Sequence, residues 1–467
     1  MVTEAMTPLQ IGRSASGRTG REVRLSSWGL FPVVQAHTER PQSTEEIAEI
    51  LQSARFPSLI ARGLGRSYGD AALNESGLTL LTEDTNAILS FDEQSGLMVC
   101  EAGTAVDAVV RSVLPRGWFP ACTPGTSAVT IGGALCCDVH GKNHHVAGSF
   151  GDTVKSFRIM LASGEVVECS RDCRSDLFWA TIGGMGLTGI VIDVTFQLQR
   201  VESAFVKVKA VQCRSLKETI EVFETMSPLY EYSFAWIEHT GGSDILRSVV
   251  HLGNVAGLEE LEQAGIRDPF SIQRNWRASV PVIPPFPLVN KITSDLINEL
   301  YWRSVSLSKH EKLTDCWSFF YPLDGLKNWN RLYGQRGFFQ YQCAFPMAVS
   351  QEAIEALFAL LDKLNIRPTL CAMKNFAPEH GLLSFPMHGY SVAFDAGATD
   401  SSLAALKEVD ELVIAYGGRI YLAKDARLGP DAFRRMYKNF PRWLEVKSKV
   451  DPRGVFQSVL SERLKLF

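Results

Sequence analysis

No stretch of about 18 uninterrupted apolar residues occurs in the chain, so no membrane-crossing helix is expected. The opening residues, Met1 to Pro8, lack the basic segment and apolar run of a secretion signal, so a soluble cytoplasmic protein is expected, at most peripheral to a membrane. The 10 cysteines scattered over 467 residues contain no Cys-x-x-Cys pair, which excludes a zinc ribbon and gives no disulfide framework. An excess of one charge sign is missing too. Lys and Arg number 47 against 51 for Asp and Glu, a net charge of -4, so broad attraction to nucleic acid is not expected. There is no internal repeat and no long linker. What is present is 46% hydrophobic and 10% aromatic residues, enough to bury a core and, at this length, most naturally two domains.

The first 200 residues read as short strands, glycine-rich turns and a few helices. Ser43-Thr-Glu-Glu46 is a capping box that opens an amphipathic helix with Ile47, Ile50 and Leu51 on one side. Ser58 to Ala61 is strand-like. Phe157 to Leu161 and Glu165 to Glu168 flank Ala162-Ser-Gly164 as a hairpin, and Gly189 to Phe196 is a β-branched strand. Beyond about residue 203 the elements lengthen, as in Ile354, Leu357, Phe358, Leu361 and Leu364 at helical spacing; a boundary falls near 202. Val280 to Val289 holds four prolines among apolar residues and must be a loop. Either it is a packed crossing segment, or it is a flap over an apolar ligand or against a membrane.

Chemistry concentrates in three glycine-rich stretches. Arg62-Gly-Leu-Gly-Arg-Ser-Tyr-Gly69 follows a strand, and its glycines free backbone N–H groups to converge on phosphate oxygens. Pro124 to Ala134 is a second such turn. It runs into Cys136-Cys-Asp-Val-His-Gly-Lys-Asn-His-His145 and then Ala147 to Gly151. Two separated turns of this kind suit an extended phosphate-bearing ligand such as a dinucleotide. His140, His144 and His145 resemble a metal cluster only superficially: Gly141 breaks the helix that an i, i+4 pair needs, and no carboxylate completes the set, so no metal is expected. His144 and His145 are expected to be structural and His140 functional. Gly184-Met-Gly-Leu-Thr-Gly189 fits the G-x-G-x-x-G string, but a helical segment, Asp176 to Ala180, precedes it and a strand follows, the reverse of a nicotinamide fingerprint.

Arg62 to Gly69, Pro124 to Ala134 and Asp176 to Ile190 together resemble the FAD-binding domain of the vanillyl-alcohol oxidase and p-cresol methylhydroxylase flavoprotein family. More narrowly, Ala61 to Asp70, Asp138 to His145, Tyr421-Leu-Ala-Lys-Asp425 and Lys449 to Phe456 are similar to the branch that oxidises polyprenyl-phosphoryl ribose. The resemblance covers nearly the whole chain. It implies an α+β, two-domain flavoprotein: a discontinuous FAD domain, 1–202 plus the returning 418–467, around a substrate domain, 203–417, built on a large antiparallel sheet with helices. It also implies oxidation of the 2′-hydroxyl of the lipid-linked ribose to a ketone, half of an epimerisation to the arabinosyl lipid of a cell-wall arabinan, with an NADH-dependent short-chain reductase as partner finishing it. Related sugar oxidases carry a histidine bonded to the flavin where this chain has Arg66, so FAD is expected to be non-covalent.

Carried over residue by residue, the resemblance places FAD against Arg62, Gly63, Leu64, Gly65, Arg66, Ser67 and Tyr68. Further contacts fall on Gly125, Thr126, Thr130, Gly132, Gly133 and Ala134, then on Cys137, His140, Gly141 and Asn143, and finally on Val191 and Tyr421. Flavin oxidation of an alcohol needs a base within reach of the hydroxyl; His140 and Lys424 are the candidates, with stabilisation of the reduced flavin an alternative role for Lys424. Tyr68, Lys142, Trp236, Gln340, Gln342, Lys374 and Lys424 are the expected substrate contacts, Lys374 as phosphate partner. Gly337 to Gln342 alternates as a strand, which puts Gln340 and Gln342 on one face. The 280–289 loop becomes an apolar lip for the lipid and a peripheral membrane contact. Three alternatives stay open: an oxidase of a soluble sugar, alditol or lactone; a metal-dependent hydrolase on the histidines; and a flavin-binding protein without turnover.

Overall fold

The computed structural model describes residues 21–239, 246–271, 278–307, 311–378 and 380–467. The opening Met1 to Pro8 lies outside the described residues, as does the start of the expected 1–202 unit. Three sheets organise the chain. A four-stranded sheet runs in the order Arg21–Ser26, Val33–Glu39, Leu78–Leu81, Leu59–Arg62, antiparallel in its first pair and parallel thereafter. A second, antiparallel sheet is centred on Ile190–Arg200, which pairs with Leu97–Glu101 on one side, with Val154–Met160 on the other and with Trp118–Pro120.

Local chemistry explains these elements. Ser43 accepts a hydrogen bond from Glu46 N at 3.2 Å and the Glu46 carboxylate accepts one from Gln42 N at 2.9 Å, so the helix Thr44–Gln52 starts where its first N–H groups are satisfied. It buries Ile47 and Leu51. The hairpin forms from Val154–Met160 and Val166–Ser170 in antiparallel register. The helix Ser350–Lys363 buries Ile354, Leu357, Phe358 and Leu361, about 1.5–3 kcal/mol for each side chain removed from water.

The third sheet is antiparallel throughout and has eight strands: Lys312–Asp315, Phe205–Cys213, Leu246–Val255, Tyr232–His239, Cys371–Phe376, Gly389–Gly397, Phe338–Pro346 and Arg419–Ile420. Its last short strand leads straight into the returning C-terminal segment, which packs on the first sheet. Leu59 N donates to Val455 O at 2.8 Å and Gln457 N to Leu59 O at 3.1 Å. Arg463, on the helix Val459–Leu464, bonds both oxygens of buried Asp70 at 2.8 and 2.9 Å and lies 2.9 Å from Asp425. Burial alone would push the Asp70 and Asp425 carboxyls up. Asp425 is nonetheless held below its ordinary value by Arg463 and Arg427.

The 280–289 segment is a loop with its apolar side chains outward, Val282 68% and Phe286 62% exposed. Arg331 Nη1 donates to Val280 O at 2.9 Å and to Pro281 O at 2.6 Å, and Leu288 N donates to Leu332 O at 2.7 Å, so the loop is pinned to residues 326–333. The helix that follows, Lys291–Leu307, is inside out: Ser294 and Asn298 are buried while Ile292, Leu296, Ile297 and Leu300 are exposed. Among the described residues no helix is long and apolar enough to cross a membrane.

Candidate active site

A cavity of about 850 Å³ lies between the glycine-rich turns and one face of the eight-stranded sheet. That volume is at the upper end for small-ligand sites. Its first wall is backbone. Gly63 fits because a Cβ there would stand 2.2 Å from Thr130 Oγ1, so the turn after Leu59–Arg62 presses directly on the start of the helix Ile131–Cys136. Gly65 has φ +63°, a left-handed conformation that L side chains rarely adopt. Thr130 caps that helix by accepting from Gly133 N at 3.1 Å.

The second wall is the sheet, and strand periodicity builds it. Four adjacent strands each turn a pair two residues apart into the cavity: Phe234 and Trp236, Ala372 and Lys374, Ser391 and Ala393, Gln340 and Gln342. Cross-strand register sets Trp236 opposite Ala372, Lys374 opposite Ser391, Gln342 opposite Ala393 and Gln340 opposite Asp395. The turn Asp138 to Lys142 enters from the side. Asp138, at φ +42°, accepts from Gly151 N at 3.0 Å and anchors that turn; burial pushes its carboxyl up to about 6.

His140 is buried among Phe376, Phe385 and Tyr421, with ring centroids 4.9, 5.6 and 5.1 Å away. Gln342 Nε2 donates to its Nε2 at 2.9 Å and to Ser391 Oγ at 2.9 Å. That bond puts the His140 proton on Nδ1, which is buried and has no partner among the described residues. Burial, and then the cations of Lys374 and Lys424, push His140 well below its ordinary value, so it is neutral at neutral pH. His144 and His145 take separate partners: Ala377 N donates to His144 Nδ1 at 3.1 Å, and His145 Nε2 lies 3.1 Å from Tyr230 O. Among the described residues no group of three His, Cys, Asp or Glu side chains is placed to hold a metal.

Three lysines line the same cavity. Lys142 donates to Phe319 O and lies 4.0 Å over the Phe234 ring. Lys424 donates to Gln340 Oε1, with Nζ 5.5 Å from the Tyr68 ring centre. Burial lowers all three: Lys142 well below its ordinary value, Lys374 to about 8 and Lys424 to about 7, with the neighbouring Lys374 adding to the shift of Lys142 and Lys424. Asp395 is the carboxylate opposite Gln340 on this sheet face, and Lys424 reaches it through Gln340. The region can hold an anion and supply a neutral amine as base.

All seven expected substrate contacts line the cavity, and fifteen of the nineteen expected cofactor contacts do. Arg62, Ala134, Gly141 and Asn143 are not on its wall. Arg62 donates to Ser26 O at 2.8 Å and supports the turn, Ala134 is buried in the core, Gly141 lies against Thr123 and Asn143 donates to Ala121 O at 2.7 Å. Residues not foreseen are Trp28, whose ring stacks 4.0 Å from the Arg66 guanidinium, and Asp324. Asp324 accepts from Thr126 Oγ1 at 2.6 Å and Ser127 N at 2.8 Å. Asp395 was missed as well. A lone carboxylate in the largely apolar stretch Tyr390 to Ala396 was the available signal, since a buried charge needs a reason.

The residues present fit a flavin dinucleotide. The turns approach so closely that no side chain fits between them, and Arg66 Nε is a buried donor without a partner among the described residues. Residues 36–170 match the FAD binding domain family model, and residues 394–464 match that of D-arabinono-1,4-lactone oxidase. The decaprenylphosphoryl-β-D-ribose oxidase of Mycolicibacterium smegmatis is 36% identical over 450 residues, covering 95% of this chain and 97% of that one. The L-gulonolactone oxidase of Mus musculus is 23% identical over 455 residues, 91% of this chain and 94% of that one. An uncharacterized protein of Streptomyces coelicolor is 32% identical over 369 residues, 76% of this chain and 98% of its own. Fold, cavity and matches define an FAD-dependent oxidase, α+β in two domains. Within that class, the chain belongs to the decaprenylphosphoryl-β-D-ribose oxidase family.

Proposed function

We propose that the protein oxidises the 2′-hydroxyl of a polyprenyl-phosphoryl ribose to the 2′-ketone, the first half of an epimerisation to the arabinosyl lipid. The observation that carries this reading is the group of Lys142, Lys374 and Lys424 on one cavity beside the glycine-rich turns. Lys374, brought only to about 8, stays cationic at neutral pH and calls for an anion, which a soluble neutral sugar or lactone lacks and a lipid phosphate supplies.

FAD supplies the hydride acceptor when bound. It is held without a covalent bond by the turns Gly63 to Tyr68 and Gly125 to Gly133, with Cys137, Val191 and Tyr421, since the guanidinium of Arg66 cannot form an imidazole linkage. Residues 1–202 with 418–467 make the cofactor unit and 203–417 the substrate unit. Lys374 faces the phosphate, Trp236 and Gln342 bound the sugar, and Lys424 takes the hydroxyl proton on Nζ as the carbinol carbon loses its hydride. Lys424 suits this better than His140, because burial brings Lys424 to about 7 while His140 Nε2 is engaged by Gln342. Lys142 and Tyr68 complete the enclosure.

The 280–289 loop meets the cavity wall where Val280 N donates to Lys327 O at 3.0 Å, and the inside-out helix Lys291–Leu307 meets it where Tyr301 packs edge-on against Trp236, ring centroids 5.0 Å apart. They form the lip through which the polyprenyl chain passes from a bilayer surface. The ketone is consumed by an NADH-dependent short-chain reductase. The match of residues 394–464 to D-arabinono-1,4-lactone oxidase favours a second reading, oxidation of a soluble lactone. Borodeuteride trapping of the product separates them. Deuterium at C2′ of lipid-linked pentose is expected; turnover of free lactones with none of the lipid substrate would reject the proposal. Acid precipitation should leave the flavin colour in the supernatant, and colour in the pellet would reject non-covalent binding.

A further inference from the structure

Buried behind the cavity, Asp395 has 0% of its surface exposed and takes two hydrogen bonds of opposite origin. Gln340 Nε2 donates to Oδ1 at 2.6 Å and Tyr333 OH donates to Oδ2 at 2.8 Å. Tyr333 is itself fixed by a ring stacked on Phe338 at 3.8 Å. A carboxylate only accepts, so Gln340 must turn its NH2 to Asp395 and its carbonyl oxygen to the other side. That oxygen receives Lys424 Nζ.

The amide therefore has one orientation, and it dictates what Lys424 does. One N–H of the amine is spent on Gln340 Oε1, which leaves the lone pair of the neutral amine free for the cavity. Were the amide reversed, its NH2 would face the amine, and the lone pair would be drawn to Gln340 instead. We propose that Asp395 is a positioning residue: acting through the Gln340 amide, it aims the lone pair of Lys424 at the substrate hydroxyl. This rests on the assignment of Lys424 as the base.

The groups that face Lys424 from the surrounding elements are Lys374, Tyr68, His140 and, through Gln340, Asp395 with Tyr333 behind it. Lys374 lowers the Lys424 ammonium and Asp395 raises it. Removing the Asp395 charge must therefore move Lys424 to lower pH, while the loss of orientation slows the proton transfer.

The test uses the FAD-loaded enzyme. Asp395→Asn lets residue 395 donate to Gln340 Oε1 and so removes the constraint that fixes the amide in one direction. Its plateau kcat should fall on the order of tenfold to hundredfold, KM should change little, and the acidic limb should move to lower pH. Adding Gln340→Glu to Asp395→Asn restores the direction of the chain, since the new carboxylate accepts from both neighbours. The double variant should regain most of the plateau kcat, with a limb above that of the native enzyme. Should Asp395→Asn fail to fold, Gln340→Leu cuts the link while keeping Asp395 charged and bonded to Tyr333, and should show the same drop in kcat with the limb little moved. Native-like kcat and limb in a folded Asp395→Asn, or native-like kcat in Gln340→Leu, would overturn the proposal, as would a double variant no better than the single. Titrating Lys424 itself, by NMR of Nζ in lysine-labelled native and variant enzyme, separates this proposal from its premise. A titration that moves while the rate does not rejects Lys424 as base; one that does not move rejects the positioning by Asp395.

Discussion

Replacing Lys424 by Met removes the amine and keeps most of the side-chain volume, and its effect can be worked out from the site. Burial first, and Lys374 second, bring the Lys424 ammonium down to about 7. A base acts only when deprotonated, so the neutral fraction sets the rate: about half at pH 7, about a tenth at pH 6 and about a hundredth at pH 5. The native kcat should thus rise about tenfold per pH unit between pH 6 and 7 and then level off, and more steeply below pH 6, where Asp395, pushed up to about 6 by burial, loses the charge that orients Gln340. His140 cannot shape this limb, because burial and the two lysines hold it neutral well below that range. Lys424→Met should lower kcat by roughly 10²–10⁴-fold, the usual contribution of a positioned base, and flatten the acidic limb, while FAD content is unchanged. The assay is single-turnover flavin reduction by lipid-linked ribose from pH 5 to 8, with bound FAD measured separately. A variant within a few-fold of native, or one that retains the limb, would refute the assignment.

Lys374→Ala should raise KM for the phosphorylated substrate by roughly 10- to 150-fold, the worth of a charged hydrogen bond of about 1.5–3 kcal/mol, with a smaller effect on kcat. Because burial brings Lys374 to about 8, KM in the native enzyme should also climb above that pH as the cation is lost, and steady-state KM from pH 7 to 9 checks both. Replacing Ile283 and Phe286 by Ser should weaken turnover of long-chain substrates far more than of a short-chain analogue, and equal effects would sink the lip. Arg463→Ala leaves buried Asp70 without its cation, while Asp425 keeps Arg427, and should cost about 3–5 kcal/mol, read as a drop in denaturation midpoint.

Much of the cofactor side was legible in the sequence because its information is local. Glycines at 63 and 65 and the strand before them are read within a few residues, whereas Pro124 to Ala134 reads only as a turn and the helix that Thr130 caps was not foreseen. The Gln340 and Gln342 pair was legible for the same reason, since a period of two fixes a face without knowledge of the neighbouring strand. Asp395 was not. Its meaning comes from register with Gln340, 55 residues away, and no local pattern encodes which strands become neighbours. Arg62, Ala134, Gly141 and Asn143 lie inside the right motifs, yet motif membership does not say which side chains face inward. The helix Lys291–Leu307 was hidden for the opposite reason. Apolar residues at helical spacing signal a buried face, whereas here the polar Ser294 and Asn298 face the protein and the apolar stripe faces outward.

The central claim is oxidation of a lipid-linked ribose by a bound flavin, and anaerobic mixing of the purified enzyme with polyprenyl-phosphoryl ribose tests it most directly. The oxidised flavin absorption band should be lost in one turnover, with no comparable loss on adding free ribose, an alditol or an aldonolactone. A band that persists with the lipid substrate and bleaches with a soluble lactone would contradict it.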